Sequence, residues 1–405
     1  NPDTGEGIPF DSERLCQQWL QDQFHKFGCF GKVDFWEVTD GRPNVVAVMK
    51  GSGSEGGAND LMFHGHSDVV SVSKEQMDVW KGPGPWSGQI ENNRIWGRGA
   101  ADMKGGNTAF IMAAKMLHEA GINLKGDALI TLTIGEESGA RQIGCDSILE
   151  RGYTAPFCVV AEPSNMEFFP VLKGELYFKV KVRGKSTHIC NRYLCVHPGP
   201  FGTEPPGVNA IDKMLKLQQA FLDLEKEWGL YQKHPLMPPG SMALNISLIK
   251  GGESFSSLAE SCEATGSILF TPALKSKDVI DELKGVINHV AQTDYWMREH
   301  PPEIKAPYGF PAKEPVNLSV EDKGYKTLVQ SYKEVMSKDP VITCSPFVCD
   351  ANYMFEKGLP VIVFGPGDIT KVHGSDEYVP VDQILDACRI YAFMMINWCG
   401  VASLT

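Results

Sequence analysis

Four short apolar runs constrain this chain more than any other feature. They fall at 61–63, 128–134, 157–161 and 361–364, each too short for a helix and each followed by polar or glycine-rich sequence. Between the first two, Phe110, Ala113, Ala114 and Leu117 recur at the spacing of a helix face. Strands that are apolar throughout are covered on both faces. The pattern therefore predicts an α/β fold, a mostly parallel sheet between layers of helices. The long stretch between the third and fourth runs reads differently. Leu176, Phe178, Val180 and Val182 alternate with Lys179, Lys181 and Arg183, as in a strand with one exposed face. A helix carrying Ile211, Met214, Leu215 and Leu222 follows, then strands around 244–248 and 263–270. A second helix (Val279, Leu283, Val286, Ile287, Val290) and a strand near Ile304 complete the order of a ferredoxin-like α+β unit. The expected organisation is a larger domain of residues 1–172 and 309–405, interrupted by a smaller one of residues 173–308. Residues 51–57, rich in glycine and serine, read as a loop.

Composition narrows the partners. At 42% hydrophobic and 22% charged, the 405 residues can bury sizeable cores and do not resemble a disordered chain. A net charge of -12 opposes binding to a phosphate backbone, so no nucleic-acid partner is expected. No run approaches the roughly 18 apolar residues of a membrane span. Eleven cysteines without repeated spacing suggest reduced thiols. No basic and then apolar leader opens the sequence at Asn1, so a cytoplasmic location is expected, with whatever precedes Asn1 left open.

Metal-ligating residue types gather just beyond the strand-like runs. His66 and Asp68 follow the first, Glu136 and Glu137 the second and Glu162 the third. His373 lies a short loop beyond the fourth, and Asp102 stands directly before the helical segment. In an open parallel sheet the loops at the carboxyl ends share one crevice. Carboxylates gathered there repel one another and resist desolvation, a problem that divalent cations solve. A mixed nitrogen and oxygen donor set suits zinc, with manganese or cobalt as alternatives. A carboxylate shared by two ions would hold them about 3.5–4 Å apart, and such a pair generates hydroxide near neutral pH and polarises a carbonyl. Taken singly, His66-Ser67-Asp68 also fits a structural hydrogen-bonded pair, and Glu136-Glu137 a solvated one. Gly97-Arg98-Gly99 is no dinucleotide fingerprint, because Asp102 occupies the place of the third small residue. No Gly-x-Ser-x-Gly elbow occurs, which disfavours a serine amidase.

Five ordered motifs resemble one family. They are His64-Gly65-His66-Ser67-Asp68, the segment 97–106, Gly135-Glu136-Glu137-Ser138-Gly139, Ala161-Glu162-Pro163 and His373-Gly374-Ser375-Asp376-Glu377. The resemblance is to dinuclear-zinc hydrolases that include acetylornithine deacetylase, succinyl-diaminopimelate desuccinylase, aminoacylase and glutamate carboxypeptidase. It implies that Asp102 bridges two divalent ions, His66 and Glu162 completing one site and Glu137 and His373 the other. It makes Asp68 the residue that orients His66, and Glu136 the general base. The inserted domain resembles the family's lid and dimerisation domain, which implies a homodimer. Within Gly184-Lys185-Ser186-Thr187-His188, His188 would stabilise the oxyanion. A helix ahead of Asn1 is also implied.

Three departures concern the substrate. Gly207-Val208-Asn209-Ala210 comes nineteen residues after His188 rather than about ten, across a loop holding Cys190, Cys195 and His197 that reads as plain surface. The segment 266–272 has Leu269 but no arginine to clamp a substrate carboxylate, and Asn352 stands where the family commonly has arginine. Leu269, Asn209 and Asn352 are thus the expected substrate contacts, in a pocket of reduced positive charge. Trp80, Trp86 and Trp96 fit ordinary loop packing better than a pocket lining. The expected activity is metal-dependent hydrolysis of an amide-type C–N bond in a small N-acyl amino acid or related amide. A dipeptidase or carboxypeptidase, or a hydrolytic deaminase of an aromatic amine, is the alternative.

Overall fold

The computed structural model describes residues 12–53, 59–196 and 204–404. Most of the loop read at 51–57, and His197, fall outside these residues. The chain divides into two compact units, one of residues 1–171 and 316–405 and one of Leu172–Pro315.

In chain order the first unit contains α1 (Ser12–Phe27), β1 (Lys32–Thr39), β2 (Arg42–Met49), β3 (Leu61–His66), α2 (Gly105–Glu119), β4 (Ala128–Thr133), β5 (Phe157–Val160) and β6 (Phe168–Leu172). The second contains β7 (Gly174–Arg183), α3 (Ala210–Tyr231), β8 (Ala243–Gly251), β9 (Ser261–Phe270), α4 (Ser276–Thr293) and β10 (Glu303–Lys305). The first unit resumes with β11 (Val316–Asn317), α5 (Lys323–Met336), β12 (Ile342–Ser345), α6 (Asp350–Glu356), β13 (Val361–Val363) and α7 (Val381–Cys399).

The sheet of the first unit runs β1-β2-β4-β3-β5-β13-β6-β11, with β12 beside β6. Its centre, β4-β3-β5-β13, is parallel. Those four strands are the apolar runs of the sequence, and they are buried throughout. Phe63 of β3 meets Phe110 of α2 and Tyr391 of α7, and the Tyr391 hydroxyl donates to Phe364 O at 2.6 Å. This core pins the strand that carries His66. Because the strands are parallel, β3, β4 and β5 end on one edge, where their loops begin.

The flanking β1–β2 hairpin and α1 have no counterpart in the sequence reading, which placed a helix ahead of Asn1. The inward residues of α1 include Glu13 and Gln17, so an apolar periodicity does not mark it. Glu13 is paired with Arg42 at 2.7 Å and Gln17 Nε2 donates to Leu132 O at 3.1 Å.

The second unit has the strand order β8-β9-β7-β10, all antiparallel, with α3 and α4 on one face. The order β-α-β-β-α-β is the ferredoxin-like one. Alternation along β7 turns Leu176, Phe178, Val180 and Val182 into a core with Phe221 and Trp228 of α3 and Leu283 of α4. The unit extends to Pro315 because Glu175 and Lys313 exchange two backbone hydrogen bonds, at 2.8 and 2.9 Å.

Asp294, after α4, is buried and accepts from Lys213 Nζ at 2.9 Å, Lys216 Nζ at 2.6 Å and the backbone N–H groups of Trp296 and Met297. Burial pushes its carboxyl up, and these donors outweigh burial and hold it below the usual carboxylate range. Asp294→Ala would leave Lys213 buried without its partner. It should cost about 3–5 kcal/mol at neutral pH, read from urea denaturation. A depressed pKa gives stability that is present above about pH 4 and lost as pH falls below it, so the penalty should shrink in acid.

Candidate metal centre

His66 is the last residue of β3 rather than one beyond it. Gly65 gives it room, because a Cβ there would meet Asn107 Oδ1 at 2.0 Å and Met103 Cε at 2.7 Å. Asn107 Nδ2 in turn donates to His66 O at 2.7 Å. Gly106, in the first turn of α2, allows an equally close approach: a Cβ would come to 2.0 Å of Ala161 O. The segment that presents Asp102 is thereby laid against the one that presents Glu162.

Asp102 is the pivot. Its Oδ1 lies 3.0 Å from His66 Nε2, and its Oδ2 lies 3.2 Å from His373 Nε2. Glu137 Oε2 approaches His373 Nε2 at 3.1 Å, and Glu162 Oε1 approaches His66 Nε2 at 3.7 Å. The five residues singled out as ligands therefore come together around one carboxylate. His66 Nδ1 faces Asp68 O at 3.0 Å and Asp68 Oδ1 at 3.5 Å, which leaves Nε2 for the centre. The nearer acceptor on Asp68 is thus its main-chain oxygen. Asp68 Oδ2 also accepts from the Glu137 N–H at 3.2 Å.

The charges are unbalanced. Asp68, Asp102, Glu137 and Glu162 face two imidazoles, and their side chains are largely buried. Burial pushes the Glu162 carboxyl well up, and the charges of Asp102, Glu136 and Glu137 add to it against the opposing pull of His66. Burial would push His66 down, but the carboxylates of Glu162, Asp102 and Asp68 outweigh it and raise it. Hydrogen bonds to Asp102 and Glu137 push His373 up to about 10. Such a set demands positive charge. His66, Asp102 and Glu137 offer ligand atoms all within 4.8 Å of one another, and Glu137 Oε1 is buried without a hydrogen-bond partner. The donor set fits divalent cations. His373, with half of its side chain exposed, marks the open side.

Two residues overlooked in the sequence hold the loops. Arg98 and Glu377 form a fully buried ion pair. Glu377 Oε1 accepts from the N–H groups of Ala101 and Asp102 at 3.1 and 3.3 Å, while Arg98 Nη2 donates to Gly374 O at 2.9 Å. The pair thus ties the Asp102 segment to the His373 loop. His373 has φ +61°, costly for a residue with a Cβ, and Gln76 Nε2 fixes its carbonyl at 2.7 Å. The signal was available: both charges lie inside the motifs, and a buried charge requires a partner.

The remaining expected site residues are placed as follows. Glu136 is half-buried in the turn after β4. Asn352, in α6, is fully buried, its Oδ1 accepting from the Cys349 N–H at 3.1 Å. In the second unit, Asn209 caps α3 by accepting from the Ile211 N–H at 3.0 Å. Leu269 is half-buried on β9, paired with Glu175 and Ala243. His188 is exposed and caps a short 3-10 turn, its Nδ1 accepting from the Cys190 N–H at 3.2 Å. Trp86 is exposed, Trp96 packs on Tyr378 and Trp80 lies under Arg98.

The fold and this donor set define a metal-dependent hydrolase. The family model described as Peptidase family M20/M25/M40 matches residues 62–397, and the chain belongs to that family. It acts on amide-type C–N bonds. An N-formyl-4-amino-5-aminomethyl-2-methylpyrimidine deformylase of Halalkalibacterium halodurans is 32% identical over 397 residues, covering 95% of this chain and 88% of that protein. An acetylornithine deacetylase of Aliivibrio salmonicida is 27% identical over 398 residues, 94% of this chain and 90% of its own. Among solved structures, aminopeptidase PepT of Bacillus cereus shares the fold with a TM-score of 0.70 at 18% identity, over 96% of this chain and 93% of that one.

Glu377→Gln should leave the far-ultraviolet circular dichroism unchanged and weaken binding of Zn²⁺ about 10–100-fold in a competition titration, because it loosens both ligand loops.

Proposed function

We propose that the protein is a dinuclear-metal deacylase, zinc being the first choice of metal, that removes a short acyl group from a small, weakly anionic amide. The observation that carries this reading is the Asp102 carboxylate, with one oxygen toward His66 and the other toward His373. His66, Asp102 and Glu162 would hold one ion, and Asp102, Glu137 and His373 the other. When bound, the ions supply Lewis acidity that acidifies water and polarises a carbonyl. Glu136 takes the proton of the attacking water and delivers it to the leaving nitrogen. Asp68 keeps the His66 ring in the tautomer whose Nε2 faces the centre. His188 would donate to the oxyanion and Leu269 would contact the substrate, while Asn209 and Asn352 are already engaged at helix starts.

The missing arginines on β9 and at Asn352 favour an amide without a carboxylate to be clamped. The similarity to a deformylase of a pyrimidine amide supports the same choice, and points to a formyl or acetyl group on a heteroaromatic amine. A homodimer through the second unit is part of this reading. Strand β8 is the outer strand of its sheet and exposes Leu248 and Ile249, an apolar edge of the kind that pairs with a second chain. Among the described residues no helix is long and apolar enough to cross a membrane. A cytoplasmic location completes the proposal.

Glu136→Gln should retain metal and lose roughly 100-fold or more in kcat, and a chelator should abolish activity in the wild type. Assaying N-formyl and N-acetyl heteroaromatic amides, N-acyl amino acids and dipeptides side by side tests the substrate class, and a preference for dipeptides would overturn it. His188→Ala should lower kcat by about 100-fold or more with metal content unchanged. Mixing it with Glu136→Gln should restore activity if His188 serves the partner's site.

A further inference from the structure

His64, Cys145 and Asp350 form a second buried cluster in the first unit, with ligating atoms within 4.8 Å of one another. A further metal site is the obvious reading, and the hydrogen bonds oppose it. His64 Nδ1 lies 2.9 Å from Thr131 Oγ1, and Nε2 lies 2.9 Å from Asp350 Oδ2. Both ring nitrogens are engaged by protein atoms and a single carboxylate faces the imidazole, without the crowd of carboxylates that calls for a cation at the centre described above. Burial pushes the Cys145 thiol well above its ordinary range, which works against the thiolate a metal needs.

What the pair joins is more informative. His64 stands two residues before His66 on β3, on the same face of the strand. Asp350 is the first residue of α6. Its Oδ2 is also 3.5 Å from Thr133 Oγ1, which donates to Gly65 O at 3.3 Å. One carboxylate thus fastens α6 to β3, the strand that delivers His66, beside the end of β4. The residue before it, Cys349, is fully buried, and burial and then the charges of Glu162 and Glu136 push its thiol well up.

We propose that His64 and Asp350 are a positioning pair that fixes the first turn of α6 beside the strand ends that carry the active site. The pair governs how substrate fits and leaves metal binding alone. This rests on the reading of Glu136 as base and Glu162 as ligand. His64→Leu leaves Asp350 buried without its donor, whereas His64→Gln can still donate to it. For His64→Leu the expected result is wild-type metal content per chain, a KM raised about 10-fold or more and a blunted preference between N-formyl and N-acetyl forms of one amide. His64→Gln should recover most of both.

Loss of metal from His64→Leu, relative to wild type, would make the cluster a metal site and overturn the proposal. A lowered melting temperature with KM and acyl preference unchanged would make the pair merely structural and overturn it equally. If His64→Leu does not fold, Asp350→Asn, which keeps the shape and loses the charge, is read by the same KM and preference measurements. Failure of the underlying reading is separable: it would show as a wild type without metal, or as an active Glu136→Gln enzyme, whatever the His64 variants do.

Discussion

The structure of the first unit is arranged around an electrostatic debt at the carboxyl ends of its parallel strands. Four carboxylates converge on two imidazoles, and the burial that makes a hydrolytic site useful also makes that accumulation costly. Divalent cations discharge the cost, and the fold supplies what they require. Rigid parallel strands carry His66 and Glu162, and a helix start presents Asp102. Two loops that cannot stiffen themselves, those of Asp102 and His373, are braced by the Arg98–Glu377 pair. A salt bridge in that place is weak evidence for global stability. Its geometric effect, holding two ligand loops in register, is the better account of why two charges are buried there.

What the sequence made legible was whatever is written locally. The four apolar runs became the parallel centre of the sheet, and the alternation along β7 became a two-faced antiparallel sheet. The candidate ligand types were readable because most stand at or just beyond a strand end, with Asp102 at a helix start instead. The α1 helix was not, because its buried face includes Glu13 and Gln17, whose partners, Arg42 and Leu132 O, come from other elements. The Arg98–Glu377 and His64–Asp350 pairs were not, for the same reason. Their members are separated by 279 and 286 residues, so the segments that hold them do not name the partner. Local pattern finds what a strand end presents. It does not find what braces it.

Asn209 and Asn352 show the opposite case, in which a residue readable as a substrate contact is already occupied. Asn209 satisfies an orphan N–H at the start of α3, and Asn352 accepts from the Cys349 N–H beside α6. Substitution at either position would disturb a helix start as well as any ligand.

Asp68 brings these threads together. Its main-chain oxygen accepts from His66 Nδ1, and its Oδ2 accepts from the Glu137 N–H. The first contact selects the ring nitrogen left for the centre, and the second fixes the backbone of the turn after β4. With Glu137 anchored there and its side chain toward His373, the two adjacent glutamates cannot exchange places. A base must move a proton and a ligand must stay put, so the two jobs need different restraints on neighbouring residues. In the proposed reading a single buried aspartate supplies that difference, so the proposed division of labour between Glu136 and Glu137 rests on Asp68 rather than on anything in the Glu-Glu pair itself.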